Sequence, residues 1–86
     1  MIQISFKATF VKQMNKLEKT LIDEVFEKIE LFKNKENHGT LKIHKLHGRL
    51  SGCSSFSVNY KTRVVFEYET KDRVVFLAIG DHDVYR

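Results

Sequence analysis

The sequence predicts a small α+β domain, with helices packed on one face of a sheet. Three observations carry this. Period-two alternation opens the chain, a period of three to four residues follows, and runs rich in β-branched and aromatic residues close it. With 86 residues and no proline, the chain reads as one domain over 1–86, near the small end of what buries a core without staples.

Each element follows in order. In "MIQISF", Ile2, Ile4 and Phe6 alternate with Gln3 and Ser5, the pattern of a half-buried strand. From Lys7 onward Phe10, Met14, Leu17, Leu21, Val25, Ile29 and Phe32 step by three or four, and Val11, Ile22 and Phe26 widen the stripe. The polar "NKLEKT" breaks this pattern into two helices, roughly 7–16 and 19–35. "NKENHG" ends the second, with Gly39 free to take a left-handed C-terminal conformation. A connector of about a dozen residues comes next, a length often given to functional loops. "SFSVNY" then alternates Phe56, Val58 and Tyr60 against Ser57 and Asn59, and "RVVFEYE" and "RVVFLAIG" flank the polar turn "TKD".

Composition narrows the function classes. The single Cys53 cannot form an internal disulfide, which fits a reducing compartment, and the expected location is the cytoplasm. No segment approaches the ~20 apolar residues of a membrane span, and the opening is too short for a signal peptide. Fifteen Lys and Arg against 11 Asp and Glu give a formal charge of +4. The charge is polarised: acids concentrate in "LEKTLIDEVFEKIE", whereas "HGTLKIHKLHGRL" has none and holds three of the four histidines. Such a basic stretch suits a polyanionic partner.

Three clusters carry candidate chemistry. Lys42, His44, Lys45, His47 and Arg49 form a basic loop able to contact phosphate, or a solvated connector. "HKLHGR" lacks the cysteine or carboxylate that would make it a metal site, and no cofactor is implied. Arg63 opens "RVVFEY", with Lys61 beside it. The ending "IGDHDVYR" places His82 between Asp81 and Asp83, then Tyr85 and Arg86. An imidazole exchanges protons at physiological pH, and an arginine stabilises developing negative charge. Together they would suit attack of an RNA 2′-hydroxyl on its neighbouring phosphate. Read alone, the tail is a polar chain end with a surface histidine and a packed tyrosine; the basic loop and Arg63 are what make it a candidate site.

"KLHGRLSGCSSFSVNYKTRVVFEY" followed by "FLAIGDHDVYR" resembles the RelE/ParE superfamily of bacterial toxins, and the RelE-type messenger-RNA interferases in particular. With the leading strand and helical pattern, the resemblance covers nearly the whole chain. It implies a RelE-like fold, with an N-terminal strand and two helices packed on a twisted, mainly antiparallel sheet, and the toxin role of a type II toxin–antitoxin system: a ribosome-dependent endoribonuclease that enters the A site and cuts messenger RNA without metal. The cut leaves a cyclic phosphate and a free 5′-hydroxyl. It further implies a cognate acidic antitoxin, and a toxin–antitoxin complex that binds operator DNA.

The resemblance assigns Arg63 to stabilise the scissile phosphate, Tyr85 to orient the nucleophile and His82 to act as general acid or base. Lys42, Lys45, His47, Arg49, Lys61 and Arg86 become RNA-phosphate contacts. The sequence departs from the best-known branch in carrying Ser55 and Ser57 where that branch has lysines, and Ser54 where relatives often have an aromatic residue. "HDVYR" is also one residue shorter than many relatives between Asp83 and Val84. The superfamily leaves a second class open, a ParE-like inhibitor of DNA gyrase with no nuclease activity.

Overall fold

The computed structural model describes residues 1–81. Five strands, β1 (Gln3–Phe6), β2 (His44–Lys45), β3 (Ser54–Ser57), β4 (Arg63–Thr70) and β5 (Arg73–Gly80), form one sheet in the order β1-β5-β4-β3-β2. β1 runs parallel to β5, and the remaining pairs are antiparallel. Three helices accompany them: α1 (Ala8–Met14), α2 (Lys19–Phe32) and the short α3 (His38–Leu41). The α+β class, the leading strand, the two long helices and the closing meander are as expected; the two-residue β2 adds a further strand.

The core lies between α1, α2 and one face of the sheet. Phe10 and Met14 on α1, and Val25, Ile29 and Phe32 on α2, are buried at helical spacing. They meet Phe56, Val64, Phe66, Val74, Phe76 and Ile79 from the strands. Phe32 is the hub. Its ring lies 5.3 Å from Phe56, 4.9 Å from Phe66 and 5.3 Å from Phe76, within the range where aromatic pairs attract beyond simple burial. The apolar stripe is narrower than its sequence pattern suggested. Val11 and Phe26 point outward, and Phe6 is half exposed. Phe6 and Phe26 border a groove of about 590 Å³ along β1 and α2.

The end of α2 departs from expectation. The helix stops at Phe32 rather than 35, because side chains take over its terminal carbonyls. Asn37 Nδ2 donates to the Leu31 carbonyl at 3.0 Å, and His38 Nε2 donates to the Phe32 carbonyl at 2.7 Å while its ring stacks on Phe32. Gly39 therefore sits inside α3. The left-handed residue is Lys42, with φ 53° and ψ 59°, where the chain turns into β2.

Two irregularities shape the long hairpin. Val65 pairs with Ala78 but Phe66 with Phe76, so Leu77 is an extra residue in β5. Tyr68 pairs with Val74 but Thr70 with Arg73, so Glu69 is the extra residue in β4. The first bulge keeps Phe76 and Ile79, three apart, on the same helix-facing side. β1 ends opposite Phe76, and beyond it the amide of Ile79 donates to Gln13 Oε1 on α1 at 2.8 Å. At the tip, Thr70 Oγ1 accepts from the amides of Asp72 and Arg73, closing the predicted turn.

Candidate functional site

Among the described residues, the sheet's other face carries no helix. Register identifies its residues, because side chains alternate along each strand. Since Phe56, Val64, Phe66, Phe76 and Ile79 face the helices, Cys53, Ser55, Ser57, Arg63, Val65, Glu67, Ala78 and Gly80 face away from them. His44 pairs with Ser55 across β2 and β3 and joins this face. The face is floored by small side chains, with an imidazole on one flank and a guanidinium at one end. Adjacent strands lie ~4.8 Å apart and residues rise ~3.3 Å, which sets the Cα atoms of His44 and Arg63 roughly 12 Å apart. That span lets two long side chains reach opposite sides of one phosphodiester.

Arg63 is anchored from below. Its Nη1 donates to the carbonyls of Asn59 at 3.0 Å, Tyr60 at 3.2 Å and Thr62 at 3.4 Å. The same turn is held by Asn59, whose Oδ1 accepts from the amides of Lys61 and Thr62, and by the Val58 amide bonding the Thr62 carbonyl. This turn also ends the expected alternation. Val58 remains buried, whereas Tyr60 stands at the tip in solvent.

The predicted basic residues do not form one cluster around Arg63. Lys61 shares its turn and is exposed. Lys42 and His44 lie toward the same end of β3, because β2 runs antiparallel to it. His47 and Arg49 follow the opposite end of β3, on a loop closed by the Leu46 amide bonding the Cys53 carbonyl. Lys45 pairs with Ser54 and so faces the other side of the sheet from His44. His82, Tyr85 and Arg86 lie outside the described residues. The last described residues lie beside Arg63: Gly80 pairs with it, and Asp81 follows.

His44 is the residue that reading the sequence underweighted. "KIHK" has no period long enough to reveal a two-residue strand, so nothing distinguished His44 from its basic neighbours. A signal was present in Ser55 and Ser57, small side chains that alternate onto one face. Ser55 is 2% exposed and Ser57 half-buried, so a lysine could extend freely only from the second.

Glu67 and Cys53 give this face an acidic corner. The Cys53 thiol donates to Glu67 Oε2 at 3.8 Å, and burial, followed by the Glu67 charge and this bond, pushes its pKa up from 9.0. A thiol held protonated is a poor nucleophile. Among the described residues, no three His, Cys, Asp or Glu side chains are grouped to hold a metal ion, and no helix is long and apolar enough to cross a membrane.

No family model matches the chain, and no curated protein matches it by sequence. Its fold has clear counterparts. YafQ from E. coli strain BL21(DE3) superposes with a TM-score of 0.79 at 15% identity, over 96% of each chain. A YoeB/ParE toxin from Agrobacterium tumefaciens gives 0.77 at 14% identity, over 94% of this chain and 99% of that one. The heterotetrameric YoeB–YefM toxin–antitoxin complex from Staphylococcus aureus gives 0.73 at 19% identity, over 95% and 98%. The chain has the fold of the RelE/ParE toxins.

Proposed function

We propose that this protein is the toxin of a type II toxin–antitoxin pair and an endoribonuclease that cuts messenger RNA in the ribosomal A site. One observation carries the reading: His44 and Arg63 share the face of the sheet that carries no helix among the described residues, and Gly80, two positions before His82 in sequence, pairs with Arg63. Cleavage through the 2′-hydroxyl needs a base, an acid and a cation, and these residues supply that set.

In this mechanism His44 takes the 2′-hydroxyl proton as the oxygen attacks the adjacent phosphorus. Arg63 neutralises the charge that grows on the non-bridging oxygens. His82 protonates the departing 5′-oxygen, leaving a 2′,3′-cyclic phosphate and a 5′-hydroxyl, and Tyr85 orients the nucleophile. Lys42 and Lys61 toward one end of β3, and His47 and Arg49 beyond the other, hold RNA phosphates, with Arg86 as a further contact; Lys45, on the opposite side of the sheet, takes no part. A protein partner, the acidic antitoxin, is supported by the toxin–antitoxin complexes among the structural counterparts and by the exposed Phe6 and Phe26 along β1, an edge strand of the sheet. The antitoxin-bound form would bind operator DNA, and the site of action is the cytoplasm.

The test is message cleavage on programmed ribosomes with the ends mapped, comparing wild type with His44→Ala, His82→Ala and Arg63→Ala. Cutting within the A-site codon, lost in the variants, is expected. An intact message together with trapped gyrase–DNA adducts would replace this reading with the ParE-like one.

A further inference from the structure

Neither the core nor the catalytic reading uses Tyr60. Its ring is 91% exposed, against 42% for Tyr68 on β4, and it stands at the tip of the turn between β3 and β4. The backbone beneath it is firmly held. Asn59 Oδ1 accepts two amide bonds at 2.9 Å and 2.8 Å, the Val58 amide closes the turn onto Thr62, and the Arg63 guanidinium bonds the Tyr60 carbonyl itself at 3.2 Å. A large aromatic side chain is thus presented to solvent from a rigid support, with the exposed Lys61 on one side and Arg63 directly beneath. No acidic residue occurs from Asn59 to Phe66.

We propose that Tyr60 is a stacking platform for an unpaired RNA base next to the phosphate that Arg63 contacts. This rests on the nuclease reading above and adds a binding residue to it. The pattern fits a single-stranded nucleic acid: a π-face for the base, and cations on either side for the flanking phosphates. It fits a protein partner less well. Aromatic anchors in protein interfaces sit within a desolvated patch, whereas the neighbours of Tyr60 at the tip are the exposed, polar Asn59 and Lys61. Holding the turn in advance removes the ordering cost that a floppy loop would incur on binding.

The test uses the full chain, which contains no tryptophan. Tyr60→Trp introduces a single indole, and its emission is followed as programmed ribosomes carrying a 2′-O-methyl A-site codon are added. Quenching is expected. In cleavage assays Tyr60→Ala should raise the half-saturating ribosome concentration roughly 5- to 100-fold. The rate at saturation should stay within about twofold and thermal stability should not change, while Tyr60→Phe should behave as wild type. A wild-type enzyme that cleaves, paired with a Tyr60→Ala variant of equal affinity, would overturn the stacking and leave the nuclease standing. Quenching in a protein that never cuts would uphold the stacking and overturn the nuclease. Emission that responds only to an antitoxin and never to ribosomes would assign Tyr60 to a protein interface and sink the proposal.

Discussion

The two faces of the sheet are built from the same strands but obey different rules. On the helix side, Phe56, Val64, Phe66, Phe76 and Ile79 fill a close-packed core around Phe32. On the other, Ser55 and Ser57 on β3 lie between His44 and Arg63, and Ala78 and Gly80 lie beyond Arg63 on β5. Large side chains on one face give the domain its stability. Small ones on the other separate an exposed imidazole from a guanidinium anchored on the backbone. The contrast teaches that substitutions on this small sheet should separate into two classes, those that cost stability and those that cost chemistry.

The sharpest way to break that separation is Phe32→Ala. It removes the hub of the aromatic cluster and should destabilise the fold by about 3–5 kcal/mol, measured as a shift in the denaturant midpoint. Any folded fraction should retain its rate. The converse is His44→Ala, which should lower single-turnover cleavage by roughly 10²–10⁴-fold. Because His44 is exposed, stability should change by no more than about 0.5 kcal/mol. Arg63→Ala belongs to both classes. Cleavage should fall roughly 10²–10³-fold. Loss of its bonds to the turn should also cost about 1 kcal/mol.

Lys42→Gly sharpens the comparison through opposite signs. Its left-handed backbone penalises a side chain, and glycine relieves that penalty while adding freedom to the unfolded chain. The net expectation is a gain of about 0.5–1 kcal/mol in stability, seen in thermal melts, together with weaker ribosome binding.

The smallest effect concerns Cys53. Its folded pKa is raised, so below the ordinary thiol value of 9.0 the group is neutral in both states and its contribution is complete. As pH climbs past that value the unfolded chain ionises first, and stability declines until the folded thiol ionises too. Cys53→Ser should flatten the decline that sets in above pH 9.0 in pH-dependent unfolding.

Much of the fold was legible in the sequence because burial imposes periodicity. The spacing of Phe10, Met14, Val25, Ile29 and Phe32 predicts both helices and their inner faces, and "RVVF" twice over predicts the hairpin. The misreadings have local causes. α2 ends early because Asn37 and His38 reach back to its carbonyls, contacts that depend on three-dimensional closure. Tyr60 fits an alternating strand until the Asn59 side chain folds the backbone into a turn. The site was less legible than the core. Arg63 is conspicuous in its strand, but the candidate face is assembled across β2, β3 and β4, and no single stretch encodes that assembly. His44 acquires its place only through pairing with Ser55.

The bulge at Leu77 has a consequence for inheritance as well as for packing. A strand counts in twos, so a residue gained or lost within regular pairing turns everything after it inside out. Leu77 escapes that rule because it stands outside the count: Val65 still meets Ala78, Val64 meets Ile79 and Arg63 meets Gly80. Delete Leu77, and Phe76 and Ala78 would become neighbours that alternate faces as the pairing already requires. Ile79 would stay toward the helices and Gly80 on the face of Arg63. A single-codon deletion at that point would therefore straighten the hairpin without turning its end inside out, which makes this the place where β5 best absorbs a change of length.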